Sequence, residues 1–143
     1  MPVFFFDEDR KSLHPSHKKV ATWIHQVANQ YDASVKTINY IFCSDDYLLK
    51  INRQYLDHDY YTDIITFDHS EEQDVLAGDL FISIDRVVEN ARVNSIASLD
   101  EQNRVMIHGL LHLLGFDDKS KADKKVMTQK EDLALSLLND SST

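Results

Sequence analysis

Glycine and proline are scarce, at three and two in 143 residues, which excludes a collagen-like repeat and a long low-complexity segment. There is one cysteine, Cys43. A lone thiol has no disulfide partner within the chain and cannot build a cysteine metal cluster, which suits a reducing compartment. The opening apolar run, Val3 to Phe6, is too short for a membrane span or a signal segment, and Asp7 and Glu8 follow at once. A cytoplasmic protein with no membrane association is expected. Positive charge is also in short supply: 15 Lys and Arg stand against 24 Asp and Glu, a net charge of −9. That argues against a nucleic-acid binder working through a broad basic surface. An enzyme is less constrained, because a local groove or a metal ion can offset phosphate charge.

The chain does contain enough apolar residues, 43%, for a real core. With no internal repeat and no linker, residues 1–143 are expected to form one domain. Val3 to Phe6 reads as a short buried strand. His14-Pro15-Ser16 opens a helix on which Val20, Ala21, Ile24, Val27, Ala28 and Tyr31 recur at helical spacing. Residues 36–43 are rich in β-formers and end at Ser44, a suitable N-cap for the next helix. Strands are expected over 62–67 and 79–84, with a polar loop over 68–78. A helix over 85–96 turns Val87, Val88, Ala91 and Ile96 inward. Ser98 and Glu101 match a capping box at the start of a helix running to Gly115. A last helix begins near Ser120 and buries Val126, Met127, Leu133, Ala134, Leu137 and Leu138, and the tail from Asn139 frays. The order β-α-β-α-β-β-α-α-α implies an α+β fold, a small mixed sheet covered by helices.

The stretch HGLLHLLGFDDK, residues 108–119, is the least ordinary part of the chain. His108 and His112 are four apart, so a helix places both imidazoles on one face, one turn apart. Two imidazoles so placed can reach one ion at about 2.0–2.1 Å each. The leucines around them make burial of unpartnered imidazoles costly. Gly115 ends the helix and brings Asp117 and Asp118 back within reach as further ligands. A zinc peptidase of the HExxH kind has its general base directly after the first histidine; here that position is Gly109.

HGLLHLLGFDD resembles the His-Gly-x-Leu-His-Leu-x-Gly-Tyr-Asp-His signature of the YbeY family, bacterial ribosomal-RNA maturation factors viewed as single-strand-specific, metal-dependent endoribonucleases. TDIITFD (62–68) is similar to the family's Thr-Asp-Val-Leu-Ser-Phe-Pro, AGDLFIS (77–83) to its Leu-Gly-Asp-Ile-x-Ile-Ser, and INRQY (51–55) to its Leu-Asn-x-x-Tyr block. The resemblance runs from about Val35 to the last helix. It implies a zincin-like metal helix and one divalent ion, zinc, held by His108, His112 and Asp118. Asp118 stands where the family has its third histidine. Leu56 stands where the family has an arginine, and Arg53, one helical turn earlier, is the candidate for that role. Asp117 is the candidate base. The implied function is processing of the 3′ end of small-subunit ribosomal RNA and ribosome quality control. The implied partners are ribosomal RNA and the ribosome or its small-subunit proteins, with the protein a monomer. The residues alone leave two rivals open: a hydrolase of another substrate, and a non-enzymatic assembly factor with a structural metal.

The remaining polar residues have structural readings, and Asp63 a functional one besides. Asp63 either orients a metal-bound histidine or caps the start of a strand. Asp79 is read as closing a turn after Gly78. His58 and His69 are read as surface residues, His14 and His17 as part of a solvated face beside Lys18 and Lys19, and Cys43 as buried and inert.

Overall fold

A computed structural model describes residues 2–140. Along the chain come β1 (Val3–Asp7), α1 (His17–Gln30), β2 (Ser34–Cys43), α2 (Asp45–Leu56), β3 (Ile64–Asp68), β4 (Val75–Ser83), α3 (Ile84–Val93), α4 (Ser98–Leu113) and α5 (Lys121–Asp140). The element order is the expected one, and the fold is α+β. The sheet order is β1-β2-β4-β3. β1 and β4 run parallel to β2, and β3 runs antiparallel to β4. The expected N-cap at Ser44 is present: its hydroxyl accepts from Tyr47 N, satisfying one of the open amides at the start of α2.

Strand alternation sorts the two faces of the sheet. Ile38, Tyr40 and Phe42 of β2, and Leu76, Leu80 and Ile82 of β4, join the main core with residues of α1, α4 and α5. Ile65 of β3 and Cys43 form a smaller cluster with Leu48 under α2. Tyr40 and Trp23 bring polar tips into the core, and each is satisfied: Tyr40 OH donates to Met106 O at 3.1 Å and Trp23 Nε1 to Ala134 O at 2.7 Å.

Several expectations need correction. β1 is an edge strand with only one covered face, so Val3 is buried while Phe4 and Phe6 stand exposed. The expected loop over 68–78 is partly strand, because β4 begins at Val75 after a bridge between Glu72 and Val75. Val88 and Ile96 face outward, as do Val126 and Leu133, while Val87, Ala91, Met127, Ala134 and Leu138 are buried. The capping box does not form. Ser98 is already inside α4, the N-cap is Ala97 with no side-chain bond, and the Glu101 carboxylate is buried rather than turned back. The expectation for the tail reaches residues 141–143, which lie outside the described residues, whereas Asn139 and Asp140 belong to α5.

α4 is the central helix, with Val105, Met106, Ile107, Leu110 and Leu111 all within 3% of complete burial. Gly109 lets it lie close to the sheet. A Cβ there would sit 2.4 Å from Leu80 Cδ2 and 2.7 Å from Ile64 Cδ1. A glycine inside a helix costs about 1 kcal/mol relative to alanine, and this one is explained by the close approach to β3 and β4. The same contact accounts for the missing peptidase base, since position 109 faces packed side chains. Gly109→Ala is expected to lower stability by about 1–3 kcal/mol through overpacking, despite the better helix propensity. A denaturant midpoint equal to or above wild type at unchanged slope would show that Leu80 and Ile64 yield freely.

Candidate metal centre

His108 and His112 lie one turn apart on α4 where the helix borders a cleft, and both are partly exposed. The helix stops where Gly115 adopts φ +101°, a backbone state that favours glycine. Gly115 N donates to His112 O and Phe116 N to Leu111 O, both at 3.0 Å. This reversal returns Asp118 to the histidines. His108 Nε2 and His112 Nε2 are 3.0 Å apart, and Asp118 Oδ2 is 3.2 Å from the first and 3.5 Å from the second. His108, His112 and Asp118 are the one group of three such donors found among the described residues.

The size of this triangle tests the fit to an ion. Ligands at tetrahedral corners about 2.0–2.1 Å from a metal are about 3.3–3.4 Å apart. The three edges bracket that value, so the donors are arranged as one face of a tetrahedron. Two imidazoles and a carboxylate also make a suitable donor set for zinc. Asp117, next in sequence to the third donor, is exposed and does not join the triangle.

The orientation of His108 is held from outside the triangle. Its Nδ1 is 2.7 Å from Glu131 Oε2 of α5. Glu131 is buried and accepts through its other oxygen from Arg104 Nη1 at 2.8 Å, while Arg104 Nη2 donates to Asp132 at 2.7 Å. A carboxylate on Nδ1 keeps the proton there and leaves the Nε2 lone pair towards the triangle. Sequence reasoning missed Glu131. The signal was present: Met127, Glu131, Ala134 and Leu138 lie at helical spacing on one buried stripe, and a carboxylate there needs a partner.

Burial opposes protonation of His108, but the Glu131 hydrogen bond and charge outweigh it, helped by Asp118 and Asp63, so its pKa lies above the ordinary imidazole value. Burial raises the Asp63 pKa, against the opposing pull of His108 and of the backbone amides of Asp63 and Ile64. Asp63 lies just before β3 and lines the cleft, so the two readings of it meet in one residue, although the acceptor on His108 is Glu131.

The triangle faces a cleft of about 470 Å³. β3 supplies Ile64, Thr66 and Asp68 to its lining, while Asn52, Leu56, His58 and Tyr60 come from α2 and the turn after it. No lysine or arginine is among the lining residues. Arg53 is exposed and bonded to Asp59 at 2.5 Å, away from that lining.

The remaining polar candidates have structural partners. Asp79 lies within β4, not in a turn, and accepts from Asn39 at 2.9 Å and His69 at 3.1 Å. His14 bonds Asn103 and His17 stacks on Phe5 with ring centroids 4.3 Å apart, so both are partly buried rather than part of the expected solvated face. The Cys43 thiol is pushed up to about 12, first by burial and then by Asp9 and Asp85, which fits an inert core residue.

The raised His108 pKa has a stability consequence in metal-stripped protein. A group whose folded pKa exceeds its unfolded value of about 6.5 contributes fully below that value and less as pH rises through the folded pKa. His14, whose pKa is lowered chiefly by burial, acts in the opposite direction. The difference in denaturation free energy between wild type and His108→Ala is therefore expected to be larger at pH 6 than at pH 8.5. A difference independent of pH would remove the Glu131 pairing as a determinant of His108 protonation.

The comparisons with known proteins agree with these features. The family model described as Endoribonuclease YbeY matches residues 5–139. A protein of that name from Cytophaga hutchinsonii is 50% identical over 135 residues, 94% of each chain. Another from Porphyromonas gingivalis is 51% identical over 121 residues, 85% of this chain and 80% of the relative. One from Bacteroides thetaiotaomicron is 45% identical over 137 residues, 96% and 99% of the two chains. The solution structure of TM1509 from Thermotoga maritima is similar with a TM-score of 0.67 at 25% identity, covering 95% of this chain and 88% of that one. With the family model spanning nearly the whole chain and relatives at half identity, this protein belongs to the YbeY endoribonuclease family.

Proposed function

We propose that the chain is a zinc-dependent endoribonuclease that cuts single-stranded RNA in the maturation of small-subunit ribosomal RNA, working in the cytoplasm as a monomer with the ribosome as partner. The relatives' name supports the activity. The observation that carries the metal dependence is the triangle of His108, His112 and Asp118, all three of which line the cleft. A structural zinc is usually closed by four protein ligands, and three donors converge here among the described residues, which favours a reactive site over the assembly-factor alternative. Gly109, packed against Leu80 and Ile64, speaks against a peptidase.

His108, His112 and Asp118 would hold the ion, and the bound ion would supply Lewis acidity towards a phosphate oxygen. Glu131 keeps the His108 proton on Nδ1, so that Nε2 enters as a neutral donor without a tautomer change. Arg104 balances the buried Glu131 charge. The lack of lysine and arginine among the residues lining the cleft leaves the attraction for phosphate chiefly to the ion.

Elemental analysis of purified protein tests the ligand set. His108→Ala, His112→Ala and Asp118→Ala are each expected to lose the ion and RNA cleavage together, and Asp117→Ala to keep the ion. Full metal content in all three variants would end the proposal. Glu131→Gln keeps an acceptor but loses the charge, and is expected to weaken metal affinity about 10–100-fold with the ligands intact. An unchanged dissociation constant in competition with a chelator would reduce Glu131 to a packing role.

A further inference from the structure

The cleft has an outer wall that the metal centre does not explain. α2 ends at Leu56, Asp57 takes a left-handed conformation at φ 55°, and the chain turns back towards β3. Asn52, 1% exposed, holds this turn from below. Its Nδ2 donates to Tyr60 O at 2.9 Å and its backbone carbonyl accepts from His58 N at 3.1 Å. A buried residue bonded through its side chain and its backbone to two points of one turn fixes the place of the residues between them. Those residues present a paired surface. The His58 and Tyr60 rings stack with centroids 5.1 Å apart at 21°, and the Tyr60 hydroxyl lies 3.0 Å from His58 Nδ1. With that hydroxyl donating, a neutral imidazole carries its proton on Nε2. Among the described residues Nε2 has no hydrogen-bond partner, whereas Nδ1 is engaged.

His58, Tyr60 and Leu56 line the same cleft as His108, His112 and Asp118. Apart from the two histidines of the triangle, His58 is the one lining side chain that can carry positive charge. Arg53 is turned to Asp59, and Leu56 offers only hydrocarbon where the family resemblance has an arginine. A phosphodiester entering this cleft meets acids at Asp63 and Asp68 and needs a donor on the wall.

We propose that His58 is a phosphate-contacting residue of this cleft, donating from Nε2 to a non-bridging oxygen of the RNA, with Tyr60 as the positioning residue that holds its ring. The inference rests on the endoribonuclease reading. It assigns to an imidazole on the turn after α2 the work that a guanidinium at position 56 would do.

The test uses the metal-loaded full chain and a labelled single-stranded RNA dodecamer. His58→Ala is expected to retain wild-type metal content and lose about 10–100-fold in cleavage, the range for a hydrogen bond to a charged group. Adding Leu56→Arg to that variant should recover most of the loss, because a guanidinium can serve the same phosphate. In zinc-loaded wild type, the His58 Nε2 resonance should shift on titration with a non-cleavable form of the dodecamer. Equal cleavage by wild type and His58→Ala overturns the proposal. So does loss of metal from His58→Ala, which would make His58 a ligand, or a double variant as slow as the single one. A metal-loaded wild type that neither binds nor cuts the dodecamer overturns the endoribonuclease reading itself, a result distinct from the others.

Discussion

The packing of α4 against the sheet at Gly109 is the contact on which the rest of the molecule depends. It sets the distance between the helix and strands β3 and β4, and so the depth of the cleft whose floor carries His108 and His112. Nearly every other side of α4 is covered. The segment before α1 is tied to its first turns by the Gln102 side chain, whose Oε1 accepts from Leu13 N at 2.8 Å and whose Nε2 donates to Ser12 Oγ at 3.1 Å. α5 covers another side through Met127, Ala134 and Leu138. A helix held this way gives its two histidines little freedom, which is what a preformed set of metal donors requires.

Much of this was legible in the sequence. The histidine spacing, the glycine stop and the returning aspartate describe local geometry, and local geometry follows from the dihedral preferences of a few residues. The element order was readable for the same reason, since helical and strand periodicities repeat within short windows. What escaped depended on contacts between distant segments. Glu131 lies 23 residues from His108, and only the packing of α5 on α4 joins them. The exposure of Phe4 and Phe6 follows from the edge position of β1, which no pattern inside that strand records. The Ser98 capping box failed because burial of Glu101 prevailed over a local backbone bond. His58 is the exposed residue its polar surroundings suggested, and only the fold shows that its turn lines the cleft.

The charge of the chain takes on meaning beside this geometry. A protein of net charge −9 with no lysine or arginine lining its cleft does not collect RNA over a broad face. Counterion release from many phosphate contacts gives general affinity at the expense of discrimination. On the proposed reading, attraction would be concentrated at the ion held by His108, His112 and Asp118, so recognition would depend on bringing a strand to one point.

The tie between His108 and Glu131 also sets an order of events during synthesis. The imidazole is made 23 residues before the carboxylate that fixes its tautomer, and the intervening chain contains the glycine turn and Asp118. Until α5 has been made and docked, His108 can exchange its proton between both nitrogens. The centre therefore reaches its ordered form late, after nearly all of the described chain has been translated, and a nascent chain carries the two histidines well before it holds them ready.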